Sequence, residues 1–104
     1  MARMPTALMH QEIKSAIQRV QTRFAKEIDH INYNFGENWM GAPSVFFRVV
    51  VRDEASQLDR LGDLAEEVSF SLMNEANADE FGLSAYYDFR TVAEQAKLKE
   101  PAWA

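Results

Sequence analysis

The sequence contains no cysteine, which excludes a disulfide, a thiolate metal site and a cysteine nucleophile. It also lacks an apolar run of the roughly 18 residues that a membrane span needs, and its first residues lack the apolar core of a secretory signal. Basic residues are a minority, since 11 Lys and Arg stand against 16 Asp and Glu, for a net charge of -5. Because non-specific nucleic-acid affinity comes from phosphate neutralisation, we expect no DNA binding. These absences predict a soluble, cytoplasmic protein that does not interact with membranes.

Recognisable catalytic motifs are also missing. There is neither a G-x-S-x-G nucleophile elbow nor a glycine-rich phosphate loop. The two histidines, His10 and His30, lie on different predicted elements. Acidic residues one turn apart on the second predicted helix, such as Asp59 and Asp63, fit a solvated face better than a cation site. We therefore predict no catalytic residue, no metal and no cofactor, and we favour a non-enzymatic function.

Hydrophobic periodicity predicts the first half of the fold. Apolar residues from Ile13 to Ile28 recur every three or four positions, which predicts a helix that begins near Thr6. Residues 31–35 then alternate apolar and polar, as in a half-buried strand, and residues 36–43 contain the glycines and proline of a loop. A β-branched and aromatic run from Val45 to Val51 predicts a second strand.

The second strand leads almost directly into a second predicted helix. Asp53 or Glu54 supplies a negative charge at its start. Its apolar stripe consists of Leu58, Leu61, Leu64 or Ala65, Val68 and Leu72. Residues 83–90 alternate again and predict a third strand. Residues 91–104 are a tail that includes a short helix up to about Lys99.

The predicted element order is α-β-β-α-β in one domain of 104 residues. The first two strands form a hairpin, and a right-handed helical crossover makes the third strand parallel to the second. We therefore predict an α+β fold, a two-layer sandwich whose three-stranded sheet carries two helices on one face. It resembles a ferredoxin-like fold without its first strand.

The unusual feature is the sheet face opposite the helices. On the second strand, Val45 and the other odd positions are apolar and belong to the core, whereas the even positions mix two apolar residues with Arg48 and Arg52. A face that meets only water should be uniformly polar. By alternation this open sheet face comprises His30, Asn32, Asn34, Phe46, Arg48, Val50, Arg52, Tyr86, Asp88 and Arg90.

The open face has several interpretations. It is a solvated surface with Arg–Asp pairs, in which Asp88 neutralises Arg48 or Arg90, or it binds a protein, since arginine and tyrosine are enriched at interfaces. It also fits a single-stranded RNA platform, or an enzyme site near His30, Arg48 and Asp88.

Tryptophan at the tip of the hairpin, Trp39, either takes part in recognition or folds back over the sheet edge. The candidate binding residues are Trp39, Phe46, Arg48, Arg52, Tyr86, Asp88 and Arg90. The favoured hypothesis is a non-catalytic protein-interaction module that forms a homodimer or binds a small operon partner.

Three segments carry a resemblance to a known family. They are the Gly41 to Pro43 part of the hairpin loop, the apolar strand ending in Arg-Asp (Phe46 to Asp53), and the strand and helix from Phe89 to Leu98. Together they resemble, over roughly residues 35–104, a family of small uncharacterised bacterial proteins encoded beside small helical proteins of the HEPN type. The resemblance implies an antitoxin-like binding partner, and it supplies no catalytic motif.

Overall fold

The computed structural model describes residues 6–53 and 58–103, with residues 58–60 and 102 described by their backbone alone. The elements are helix α1 (Ala7–Arg23), strands β1 (Ile28–Glu37) and β2 (Pro43–Val51), helix α2 (Leu58–Ala76), strand β3 (Ser84–Thr91) and helix α3 (Val92–Leu98). Short 3₁₀ turns at Ala78–Phe81 and Pro101–Trp103 precede β3 and follow α3. The part of the chain that is described contains no helix with both the length and the apolar character to cross a membrane.

The strands form one sheet in the order β1-β2-β3, with β1 antiparallel to β2 and β2 parallel to β3. The predicted α-β-β-α-β order, the parallel crossover and the two-layer α+β sandwich are confirmed. Because β3 pairs directly with β2, the sheet has no gap where the first strand of a ferredoxin-like fold would lie.

The core lies between the sheet and the helices α1 and α2. The odd positions of β2 from Val45 to Val51 are all buried, as alternation predicts. Their neighbours include Ile13, Val20 and Leu64 from the two helices, and the ring of Phe47 stacks on that of Tyr87 with centroids 5.5 Å apart. Burial of this apolar surface is the main stabilising contribution to the fold.

Helix α1 begins as predicted and ends earlier. The hydroxyl of Thr6 accepts a hydrogen bond from the amide of Met9 at 3.1 Å, which makes Thr6 the N-cap. The helix stops at Arg23, whereas the apolar pattern extended it to Ile28, which instead opens β1. Ile28 is buried in the core as the first residue of β1. Its spacing from Phe24 also fits the apolar face of a helix, so the pattern could not locate this boundary.

The hairpin loop is also shorter than predicted. Strand β1 continues to Glu37 and β2 begins at Pro43, so Gly36 is a strand residue paired with Ser44. A Cβ atom on Gly36 would lie 3.2 Å from the ring of Phe46. The glycine therefore makes room for an aromatic neighbour and does not mark a turn.

Asp53 makes a contact that the sequence did not predict. Its carboxylate accepts a hydrogen bond from the amide of Ala93 at 3.1 Å, in the first turn of α3, while Glu54 lies outside the described residues. Thr91 and Glu94 complete this helix start with a reciprocal capping box. The end of β2 is therefore tied to the start of the tail.

Candidate functional site

Cross-strand register arranges the predicted open face in three rows. The upper row, nearest the hairpin, contains Asn34, Phe46 and Tyr86. The middle row contains Asn32, Arg48 and Asp88, and the lower row contains His30, Val50 and Arg90. The three rows have different surroundings.

The lower row is covered by the C-terminal tail. Trp103 is only 6% exposed, and its ring lies over the guanidinium of Arg90, with 4.3 Å from Cζ to the ring centroid. The Nε2 atom of His30 donates to the carbonyl oxygen of Trp103 at 2.6 Å. Val50, between these two, is 1% exposed. The prediction of an open face is therefore wrong for this row, because the tail folds back across the strands.

The guanidinium of Arg90 forms hydrogen bonds with residues of the tail. Besides its contact with Trp103, its guanidinium donates to Glu100 at 2.9 Å and to the side-chain carbonyl of Gln95 at 3.3 Å. Gln95 in turn donates to the backbone carbonyl of Glu100 at 2.9 Å. Arg90 thus holds the tail in place, and the expected pair with Asp88 is not formed.

Arg52 lies beyond the rows, just past the end of the central strand β2. It reaches Asp29 in the bulge of β1 at 3.5 Å and the carbonyl of Ala25 at 3.3 Å. With Gln21 and Thr22 these residues line a shallow pocket of about 310 Å³. The structure therefore separates Arg52 from the other predicted binding residues.

Arg48 and Asp88 in the middle row make no described contact with the tail. Arg48 donates to the side-chain oxygen of Asn34. Asp88 lies directly across from Arg48 in register, yet within residues 6–53 and 58–103 it has no hydrogen bond or ion pair. The cross-strand Arg–Asp pairing expected of a solvated face is thus absent, and both charges remain available.

The upper row carries a stacked aromatic pair. The rings of Phe46 and Tyr86 are 5.4 Å apart at 17°. The hydroxyl of Tyr86 accepts a hydrogen bond from the side-chain amide of Asn38 at 3.0 Å. This contact connects the sheet face to the hairpin turn.

The hairpin turn presents two large apolar side chains to solvent. The side-chain oxygen of Asn38 accepts hydrogen bonds from the amides of Met40 and Ala42, and Gly41 adopts a positive φ of 79°. This is the three-residue hairpin with a glycine in the left-handed position. Trp39 is 87% exposed and Met40 67% exposed. Trp39 therefore does not fold back over the sheet.

We call Trp39, Phe46, Arg48, Tyr86 and Asp88 the free patch. It contains five of the seven predicted binding residues, and Arg52 and Arg90 are separated from it by the contacts described above. Sequence reasoning missed Asn38, although an asparagine three residues before a glycine in a tight turn is a recognisable signal. It left the position of Trp103 undecided, because only the folded chain brings residue 103 to the lower row.

The three residues of the enzyme hypothesis are not joined by a described hydrogen bond. His30 contacts Asp29 and Trp103, whereas Arg48 contacts Asn34. Within the part of the chain that is described, no group of three His, Asp or Glu side chains could hold a metal ion. The arrangement offers aromatic and charged contacts to a partner, and no described contact activates a nucleophile.

Displaced pKa values occur outside the free patch. Burial raises the pKa of Tyr87, with a further contribution from the charge of Asp79, and burial also raises the pKa of Tyr33. Hydrogen bonds from Arg19 and Arg23 lower the pKa of Glu75. These groups link α1 to α2 or lie on the helix side of the sheet, so they bear on stability.

A scan against models of protein families finds no match for this chain, and searches of curated proteins and of solved structures find none either. The resemblance to the family encoded beside HEPN-type proteins therefore stays a prediction. Inference about function depends on the free patch itself.

Proposed function

We propose that the chain is a non-catalytic protein-interaction module that binds a protein partner through the free patch. The observation that carries this proposal is the exposure of Trp39 on a hydrogen-bonded turn. Tryptophan, tyrosine and arginine dominate the binding energy of protein interfaces. The free patch combines these three residue types with Phe46.

Rigidity of the hairpin supports this proposal. Asn38 fixes the turn through its side-chain oxygen and reaches Tyr86 through its side-chain nitrogen. A partner that buries Trp39 therefore does not have to order a loose loop first. Preorganisation of this kind improves affinity by lowering the entropic cost of binding.

Charge supplies the specificity. Arg48 and Asp88 are neighbours in register and are not paired with each other. A partner that brings an acidic group to Arg48 and a donor to Asp88 satisfies both, whereas a partner with the opposite arrangement is repelled. The partner is a second copy of this chain or the product of the neighbouring gene, as the family resemblance implies.

Light scattering coupled to size exclusion tests the proposal, on the chain alone and mixed with the neighbouring gene product. We expect a complex in one of the two samples. Trp39→Ala should weaken it about thirtyfold or more, as for a hot-spot residue worth at least ~2 kcal/mol, and Arg48→Glu should weaken it by reversing the charge.

The matched control is Phe70→Ala. Phe70 is another exposed aromatic residue, 61% exposed, on α2 in the helix layer. It should leave the complex unchanged. A strict monomer in both samples, or equal losses from Trp39→Ala and Phe70→Ala, would contradict the proposal.

RNA is the second candidate, because the stacked rings of Phe46 and Tyr86 beside Arg48 resemble the aromatic sheet platforms that hold single strands. Single-stranded oligonucleotides at low salt test it by fluorescence anisotropy. Binding that falls steeply with added salt and is lost in Phe46→Ala would favour RNA over a protein partner. Absence of binding at low salt would exclude RNA.

A further inference from the structure

His30 is held between two oxygen atoms that can only accept hydrogen bonds. Its Nδ1 atom lies 2.7 Å from a carboxylate oxygen of Asp29, and its Nε2 atom lies 2.6 Å from the carbonyl oxygen of Trp103. The other oxygen of Asp29 faces Arg52 at 3.5 Å, so this carboxylate accepts on both sides. A neutral imidazole has one N–H, and an imidazolium has two. Both contacts of His30 are therefore satisfied only when the ring is doubly protonated.

Loss of the second proton affects the two contacts unequally. The hydrogen bond to the Asp29 carboxylate is charge-assisted, so the remaining proton stays on Nδ1. The lone pair of Nε2 then faces the carbonyl oxygen of Trp103 at 2.6 Å. Two acceptors at this distance repel each other, and the contact that fails is one of those that hold the tail.

We propose that the tail is a proton-dependent latch on the sheet face. It is docked on the lower row while His30 is an imidazolium, and its docking weakens as rising pH removes that proton. Release uncovers Val50 and frees Arg90, which adds a third row to the surface next to Arg48. The latch rests on the contacts of His30 and Trp103 and does not depend on the function of the free patch.

Other charged groups lie on the elements that pack around His30. They are Glu27 just before β1, Asp29 on β1, Arg48 on β2, Arg52 just after β2, Asp88 and Arg90 on β3, and Glu100 in the tail. Of the side-chain types present, histidine is the one that ordinarily changes charge between about pH 5 and about pH 8. The second histidine of the sequence, His10, contacts Tyr33 at 2.8 Å and Phe35 on the other side of β1.

The weak part of the tail is its helix. Helix α3 has no buried residue. Among the described tail residues, Trp103 is the one that is buried. Its ring contacts Arg90 and its carbonyl oxygen contacts His30, and both of these residues belong to the lower row. Loss of a hydrogen bond from a charged donor should therefore shift the ratio of docked to undocked tail by about tenfold or more.

Acrylamide quenching of tryptophan fluorescence tests the latch. The sequence has two tryptophans, so Trp39→Phe leaves Trp103 as the single reporter. In this background we expect quenching of Trp103 to increase between about pH 5 and about pH 8, with unchanged far-ultraviolet circular dichroism. His10→Gln should show the same transition as the parent.

Two substitutions separate proton linkage from simple packing. In Asp29→Asn the side-chain amide can donate to Nδ1, so a neutral His30 carries its proton on Nε2 and still donates to Trp103. In His30→Gln the amide nitrogen can donate to the same carbonyl and does not titrate. Both variants should keep Trp103 shielded across the whole pH range.

Three results would overturn the latch. The first is a quenching constant of Trp103 that does not change with pH in the Trp39→Phe parent. The second is a pH-dependent change in quenching that persists in His30→Gln. The third is a change in quenching that coincides with loss of the circular dichroism signal. The last result would mean that the whole domain unfolds. None of these results bears on the light-scattering test of the free patch.

Discussion

Trp103→Ala should remove the anchor of the tail and with it the cover of the lower row. Trp103 is 6% exposed, lies over Arg90 and accepts a hydrogen bond from His30. Truncation of a buried tryptophan in a core costs about 3–5 kcal/mol. At a chain end the cost is limited to the free energy of docking the tail, because the rest of the domain survives its release. We therefore expect the free energy of unfolding to fall by about 2–4 kcal/mol.

Urea denaturation followed by far-ultraviolet circular dichroism measures this loss. Limited trypsin digestion gives a second readout, since Lys97 and Lys99 at the end of α3 should be cut faster once the tail is released. Trp39→Ala is the matched control. It removes the same side chain from a position that is 87% exposed, so it should change stability by less than about 0.5 kcal/mol. Equal stability and equal digestion of both variants would refute the docked tail.

Three further substitutions test the elements that support this arrangement. Thr91→Ala removes the capping box of α3 and should cost about 1 kcal/mol in urea melts, whereas Thr91→Ser should be close to neutral. Lys99→Gly should raise the free energy of unfolding by about 0.5–1 kcal/mol, since Lys99 has a positive φ of 52° and glycine takes that conformation without strain. An unchanged free energy of unfolding in urea denaturation would contradict this expectation. The pKa of Glu75 is lowered from 4.5 by hydrogen bonds from Arg19 and Arg23. This contribution to stability is therefore present above that pH and is lost as pH falls through the lowered value. The urea midpoints of the parent and Glu75→Gln should converge on acidification, and a constant gap would count against the pairing.

The fold was largely predictable because its elements have distinct periods. Alternation on β2 and β3 and a three-to-four repeat on α2 are local properties, and the helix between β2 and β3 favours the parallel crossover. Boundaries were less predictable. Ile28 satisfies the helix period and packs in the core from β1, and Gly36 resembles a turn residue although it lies under the ring of Phe46.

The candidate site was predicted in part. Alternation placed Phe46, Arg48, Tyr86 and Asp88 on one face, because a strand fixes which side each residue takes. It could not show that the tail covers the lower row. That contact joins His30 to Trp103 across 73 positions in sequence, and no local pattern encodes it.

The mixed character of the second strand has a structural explanation. Val50 is apolar on the outer face because it is buried beneath the tail, and Phe46 is apolar because it stacks on Tyr86 and shields Gly36. Arg48 lies between them, contacts Asn34 and makes no described contact with the tail. One face thus contains a row that the tail covers and the residues of the free patch.

The most direct test of this division is a nuclear Overhauser spectrum of the full chain in solution, recorded at about pH 5, where histidine is protonated. We predict contacts between the indole protons of Trp103 and the side chain of Arg90, and none from the indole of Trp39 to the sheet. Absence of contacts from Trp103, with chemical shifts typical of an unstructured chain end, would contradict the account.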